Sequence, residues 1–358
     1  MLARNTYLEI KLKSLKNNVS TIKERLYMYK YYIGVVKADC YGHSCSLKVL
    51  KAIIDGGCNY LAVASLDEAL DIRKKIPEIP ILCLGPIDSQ YIETCIQNNI
   101  TVTVYSLDYL YEMLEEDCES LKVHLKINSG MNRIGLVEND EVWEAIRIIR
   151  RRHMNLEGIY THIYNAEDEE DYSKQIESFE KSLKNVDLES IPIVHIAASE
   201  SMVRYERPSY VNGCRLGIIM YGFTDARALR LKSTMSLVSE VVQINTLKKG
   251  ETLGYGGAYK ASEDEEKIAV VSIGYADGVI RKNSGRYVYI KDREYKIVGN
   301  ICMDMLFVKV DDNVEVHDEV YILKDIDHIY EVSDYLDTIP YEVICSVGKR
   351  VPRVYKNK

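Results

Sequence analysis

Val35-Val36-Lys37-Ala38-Asp39-Cys40-Tyr41-Gly42-His43 sets the reading of this chain, because a single lysine closes the apolar, strand-like run Tyr32 to Val36 and a glycine turn follows it. An amine at the mouth of an apolar strand is expected to be partly desolvated, which lowers its pKa and makes it nucleophilic toward an aldehyde. The ordinary alternative is a surface lysine at a strand end. What decides between the two lies further along the chain.

Working outward from that run, short β-rich segments alternate with helical patterns as far as about residue 225. The segments are Tyr32 to Val36, Tyr60 to Ala64, Ile79 to Leu84, Val102 to Tyr105, Val123 to Ile127, Gly158 to Thr161 and Ile193 to Ala197. Between them lie stretches such as Ser65 to Lys75 and Val142 to Arg151, with apolar residues three or four apart. With an eighth strand at Gly213 to Leu216, the pattern predicts an α/β fold, a parallel (β/α)8 barrel of the TIM type. After Leu231 the texture changes to alternating runs: Leu237 to Ile244, Lys267 to Ile273, Tyr287 to Ile290, Tyr295 to Val298, Leu306 to Val310 and Glu319 to Leu323. No long helix follows until Tyr330 to Leu336. This predicts a separate, mostly β C-terminal domain. The run Tyr7 to Lys11 could join either part; we place the barrel at 11–228 and the β-rich domain at 229–358 with the N-terminal strand 1–10.

Composition narrows the function classes. The 358 residues are 47% hydrophobic and 28% charged, enough for two cores and too apolar for disorder. A net charge of -8 argues against nucleic acid as partner, and Arg150-Arg151-Arg152 reads as a solvated helix end. Glu167-Asp168-Glu169-Glu170-Asp171 reads as a wet loop or first helical turn rather than a metal site. Nine cysteines without a CxxC spacing form no disulfide or zinc framework and point to a reducing, cytoplasmic setting. The N-terminal Met1 to Thr6 carries no leader pattern, and no run of about 18 apolar residues occurs, so no membrane association is expected.

On the barrel scaffold the chemically unusual residues fall just past strands: Lys37 after the first, Arg133 after the fifth, His162 after the sixth, Ser199 after the seventh and Arg215 at the eighth. That rim is where barrels place their chemistry, and a phosphate is commonly held after strands seven and eight, where Ser199 and the Gly217-Ile218 amides stand.

The lysine segment resembles the cofactor-binding motif of the alanine racemase family, and the resemblance continues in order along the chain. It takes in Lys126-Ile127-Asn128-Ser129-Gly130-Met131-Asn132-Arg133-Ile134-Gly135, Tyr160-Thr161-His162, Arg215-Leu216-Gly217-Ile218-Ile219-Met220-Tyr221-Gly222 and Gly254-Tyr255-Gly256. Ile273-Gly274-Tyr275-Ala276-Asp277-Gly278, Asn300-Ile301-Cys302-Met303-Asp304 and Arg350-Val351-Pro352-Arg353 complete it. The resemblance implies pyridoxal 5'-phosphate held by Lys37 as a Schiff base, with Tyr41, Ser199, Arg215, Gly217, Ile218 and Lys349 around the cofactor. It implies Lys37 and Tyr255 as acid/base groups on opposite faces of the substrate, His162 contacting that tyrosine, and Arg215 facing the pyridine nitrogen. It implies Arg133 at the substrate carboxylate and Tyr275 and Met303 as substrate-facing residues from a partner subunit. Lys126 is carboxylated in some members of the family; strand alternation alone equally allows a structural lysine. Because Tyr255 and Lys37 lie in different domains, a homodimer with shared active sites is implied.

Three positions depart from the family pattern. Lys349 stands where a tyrosine usually precedes Arg-Val-Pro-Arg, Ala198 replaces an asparagine before the serine, and Asn165-Ala166-Glu167-Asp168 follows His162. These bear on substrate choice. The expectation is a cytoplasmic racemase interconverting L- and D-alanine for peptidoglycan. The alternatives are a serine or broad-specificity racemase, a barrel-type decarboxylase of basic amino acids, and a non-catalytic cofactor carrier.

Overall fold

The computed structural model describes residues 4–357; Met1 to Ala3, the start of the N-terminal stretch read above, and Lys358 lie outside them. The chain divides into two compact units, residues 15–40 with 45–231, and residues 4–14, 41–44 and 232–357. The first strand, β1 (Tyr7–Lys11), falls in the second of these.

The larger unit is built on eight parallel strands: β2 (Tyr31–Val35), β3 (Tyr60–Val63), β4 (Ile81–Cys83), β5 (Ile100–Val104), β6 (Lys122–Lys126), β7 (Asn155–Tyr160), β8 (Ile193–His195) and β9 (Gly213–Leu216). They close in sequence order, with Ile33 of β2 beside Tyr60 on one side and Arg215 on the other. Strands wrapped by helices are buried on both faces, so they read as continuous apolar runs; β3 and β5 are buried throughout. Short polar residues start the helices. The side chains of Ser46, Ser65 and Ser106 accept the N–H groups of Val49, Glu68 and Tyr109 at the heads of Leu47–Gly56, Leu66–Lys75 and Leu107–Met113. Gly56 lets that helix approach Val19, whose Cβ would lie 2.6 Å from a Cβ at position 56. Of the acidic run, Asp168 caps Glu169–Ser182 and the next three residues form its first turn, while Arg150 and Arg151 end Asn139–Arg151.

The second unit is an eight-stranded sheet. To β1 it adds β10 (Met235–Leu247), β13 (Glu266–Val271), β14 (Tyr287–Ile290), β15 (Arg293–Val298), β16 (Leu306–Val310), β17 (Glu319–Leu323) and β18 (Arg353–Lys356), with β11 (Thr252–Leu253) and β12 (Tyr259–Lys260) pairing separately. The order is β13-β16-β15-β14-β17-β10-β1-β18, antiparallel except between β1 and β18. The helix expected at Tyr330 to Leu336 begins earlier, at Ile326, because the Asp325 carboxylate accepts the His328 N–H and starts the turn there.

Candidate active site

Lys37 is the second residue past β2 and opens a left-handed turn: Ala38, Asp39, Cys40 and Tyr41 all have φ between 52° and 55°. Such a run costs about 1–2 kcal/mol per non-glycine residue, so neighbours must hold it. Glu68 accepts the N–H groups of both Ala38 (2.7 Å) and Ala64 (2.8 Å), tying the turn to the loop after β3. Asp39 accepts the Cys45 N–H at 2.6 Å, and the Cys40 and Cys45 thiols meet at 2.7 Å. The expected partial desolvation of Lys37 is not found: its side chain is exposed and makes no hydrogen bond or ion pair among the described residues. The turn carries it beyond the cover of the strand.

The interior end of the barrel is cationic. Arg215 on β9 is buried, with only 3% exposure. Its Nη1 donates to His195 Nδ1 (2.7 Å) and the His195 carbonyl (3.1 Å); its Nη2 donates to the carbonyls of Thr161 and Ile196 (2.8 and 3.0 Å) and to His162 Nδ1 (3.2 Å). Burial moves it down, to about 10, so it stays charged at neutral pH. Its Nε makes no hydrogen bond among the described residues. His162 is pushed down to about 2, first by burial and then by Arg215, Lys126, Arg133 and Lys37. It is therefore neutral. Because the guanidinium can only donate, His162 Nδ1 is the acceptor and the ring proton sits on Nε2.

Lys126, the last residue of β6, points inward. It is 4% exposed, 4.9 Å over the Tyr160 ring, without a hydrogen bond or an acid partner among the described residues. Burial, then Arg215 and Arg133, bring its amine down to about 6. The side chain thus lies inside the barrel and does not point outward from the strand. Arg133 is exposed and close enough for its charge to be felt by Lys126, His162 and Arg215. Ser199 is buried, and its Oγ accepts the Ile219 N–H (3.4 Å); the neighbouring Gly217 and Ile218 amides donate to no protein group among the described residues.

The remaining candidates belong to the other unit. Tyr255 stands on a short turn flanked by Gly254, Gly256 and Gly257, all at positive φ, with its carbonyl held by Asn300 (2.9 Å); it is 75% exposed. Tyr275 and Met303 are also exposed, on adjoining segments joined through Tyr275 N–H to Cys302 O and Ala276 N–H to Met303 O. Tyr41 is buried against Tyr341 (6.0 Å between centroids). Lys349 is exposed and without a hydrogen bond among the described residues. Sequence reasoning missed His124, His195 and Glu157, which line the barrel interior. His124 and His195 stand inside two of the β runs read from the sequence, but nothing local pairs them with each other or with Glu157.

The alanine racemase N-terminal domain model matches residues 10–225, and the C-terminal domain model residues 234–355. Alanine racemase 1 of Bacillus subtilis is 34% identical over 366 residues, spanning 98% of this chain and 93% of the relative. An alanine racemase of Helicobacter pylori is 34% identical over 379 residues, spanning 99% of this chain and 100% of the relative. Among solved structures, the alanine racemase of Bacillus anthracis with bound L-Ala-P has a TM-score of 0.92 at 31% identity, covering 100% of this chain and 97% of that one. Barrel, β unit and matching domain models together define an amino-acid racemase. The chain belongs to the alanine racemase family.

Proposed function

We propose that this chain racemises alanine with pyridoxal 5'-phosphate as coenzyme, using Lys37 and Tyr255 as proton-transfer groups that meet across a homodimer. The observation that carries the reading is Lys37, an amine without an acid partner among the described residues, on a held left-handed turn at the end of a barrel strand. Its neighbours on that barrel match the coenzyme. The unengaged Arg215 Nε–H suits a pyridine nitrogen, and Ser199 with the Gly217 and Ile218 amides suits a phosphate. Pyridoxal phosphate, when bound, supplies the electron sink that acidifies the Cα–H of an amino acid. Arg215, which stays charged at neutral pH, would hold the ring nitrogen by its Nε–H and leave it unprotonated, a setting that would favour simple proton exchange over decarboxylation or transamination.

Lys37 then moves a proton at one face of Cα and Tyr255 at the other, since inversion requires removal and return from opposite sides. His162, with its proton on Nε2, can donate to a phenolate and so support a deprotonated Tyr255. The exposure of Tyr255, Tyr275 and Met303 in a single chain favours a partner copy covering them. Arg133 is assigned to the substrate carboxylate. Lys126, held neutral among arginines, is suited to add to CO2 with loss of one proton, giving a carbamate that would pair with Arg133. Tyr41 and Lys349 complete the coenzyme's surroundings in this proposal, with 11–228 as the coenzyme-binding domain and 229–358 plus strand 1–10 as the β-rich one. Nine free cysteines favour a cytoplasmic setting, and membership of the alanine racemase family supports D-alanine for peptidoglycan as the product's use.

Lys349, exposed where the family usually has tyrosine, favours a second reading, a serine or broader racemase. Comparing kcat/KM for alanine and serine decides between them. The reaction itself is tested in deuterated water. Both alanine enantiomers should acquire Cα deuterium, and Tyr255→Phe should still exchange one enantiomer while losing racemisation. Exchange without racemisation in the unaltered protein, or release of CO2, would sink the proposal.

A further inference from the structure

A chain of hydrogen bonds runs down the barrel interior from Arg215. Beyond the 2.7 Å bond from Arg215 Nη1 to His195 Nδ1, His195 Nε2 lies 2.9 Å from His124 Nδ1, and His124 Nε2 lies 3.3 Å from Glu157 Oε2. The same carboxylate oxygen accepts from Tyr60 (2.6 Å) and Thr101 (2.9 Å), and Lys122 Nζ stands 3.9 Å from Oε1. His124 and His195 are fully buried.

The two ends determine every proton between them. A guanidinium has no acceptor, so His195 Nδ1 must be bare and the His195 proton must sit on Nε2. That N–H needs an acceptor, so His124 Nδ1 is bare and its proton sits on Nε2, aimed at a carboxylate that can only accept. A doubly protonated His124 would set N–H against N–H. Burial pushes both rings toward the neutral form, and Arg215 reinforces this at His195. Glu157 is ionised: burial pushes it up, but hydrogen bonds from His124, Tyr60 and Thr101 prevail and hold it below the usual carboxylate range. The contact between His124 and Glu157 is therefore a neutral ring donating to an anion, not an ion pair.

Both rings are fixed by packing as well. Tyr160 stacks on His195 at 4.5 Å and 9°. Gly158, opposite His124 across β6 and β7, leaves room for the imidazole; a Cβ there would come within 2.5 Å of its Cε1.

We propose that Glu157, His124 and His195 are positioning residues that form a one-directional relay, anchoring Arg215 so that its Nε–H is presented as the free donor. This rests on the reading of Arg215 as the group facing the coenzyme. The relay gives the buried guanidinium a distant anion without placing a carboxylate where it could reach the pyridine nitrogen. Removing the anion weakens each bond of the relay in turn, so that the His195 ring accepting from Arg215 Nη1 is held less firmly.

The test is nitrogen NMR of the full-length protein labelled with 15N-histidine, alongside Glu157→Gln, whose carboxamide can donate or accept. In the unaltered protein His124 and His195 should each show a protonated Nε2 and a bare Nδ1. In Glu157→Gln both tautomers, still fixed by the Arg215 end, should hold while the His124 Nε2 and His195 Nε2 signals shift as their bonds to a charged acceptor weaken, with kcat down about tenfold and KM within about twofold. A protonated Nδ1 on either ring of the unaltered protein overturns the relay, with no variant needed. A change in kcat without a change in the ring signals, or the reverse, overturns the coupling to Arg215. The tautomer spectrum is read without turnover, so its failure is distinct from failure of the racemase reading.

Discussion

His162 and Lys126 show how position on a barrel becomes chemistry, since both are basic groups whose charged forms the fold disfavours. The unfolded chain binds the proton that the folded chain refuses, so stability rises with pH between the folded and unfolded values. For His162 that window runs from about 2 to the ordinary histidine value near ~6.5. Its contribution is complete above that upper limit and is lost as pH falls. Denaturant unfolding at pH 7.5 and at steps down to 5 should lose about 1.4 kcal/mol per pH unit below ~6.5 for each ring that stays neutral. His162→Gln should make the decline shallower, and an unchanged slope would contradict the burial of a neutral ring. At this scale the sequence was partly legible. Lys126 carried two readings because alternation does not say which face a closing barrel turns inward. The association of His124, His195 and Glu157 was not legible because 71 residues separate the two histidines, and only strand closure brings their rings together.

At the scale of elements, the turn after β2 and the pairing of β6 with β7 carry the constraints. Glu68 accepts two backbone N–H groups that otherwise have a strained turn to support. Glu68→Ala should cost about 1–3 kcal/mol in unfolding free energy, with a raised coenzyme dissociation constant measured by titration; a variant neutral in both would show that the turn holds itself. Gly158→Ala drives a methyl into the His124 ring and should cost about 1–3 kcal/mol by overpacking, again read by denaturant unfolding. A change within about 0.5 kcal/mol would show that the ring has room to move. Barrel strands such as Tyr60–Val63 were readable because burial on both faces leaves an uninterrupted apolar run. The two-residue strands β11 and β12 carry too little pattern to be read. The parallel pairing of β1 with β18 joins Leu8 to Arg353, a contact across nearly the whole chain that no local pattern encodes.

At the scale of the whole molecule, the question is how the two proposed proton-transfer groups, on separate units, would come to serve one substrate. Lys37 belongs to the barrel and Tyr255 to the β unit, and the account joins them between copies. Complementation between two inactive variants tests this most directly. Lys37→Ala and Tyr255→Phe, each inactive alone, are co-expressed with different tags so that hybrid dimers form. With random assembly half the dimers are hybrids, and each has one site with both groups intact and one with neither, so activity should return to about a quarter of the unaltered level. Purified hybrids should reach about half. Hybrids as inactive as their parents would place both groups within one copy and contradict the account.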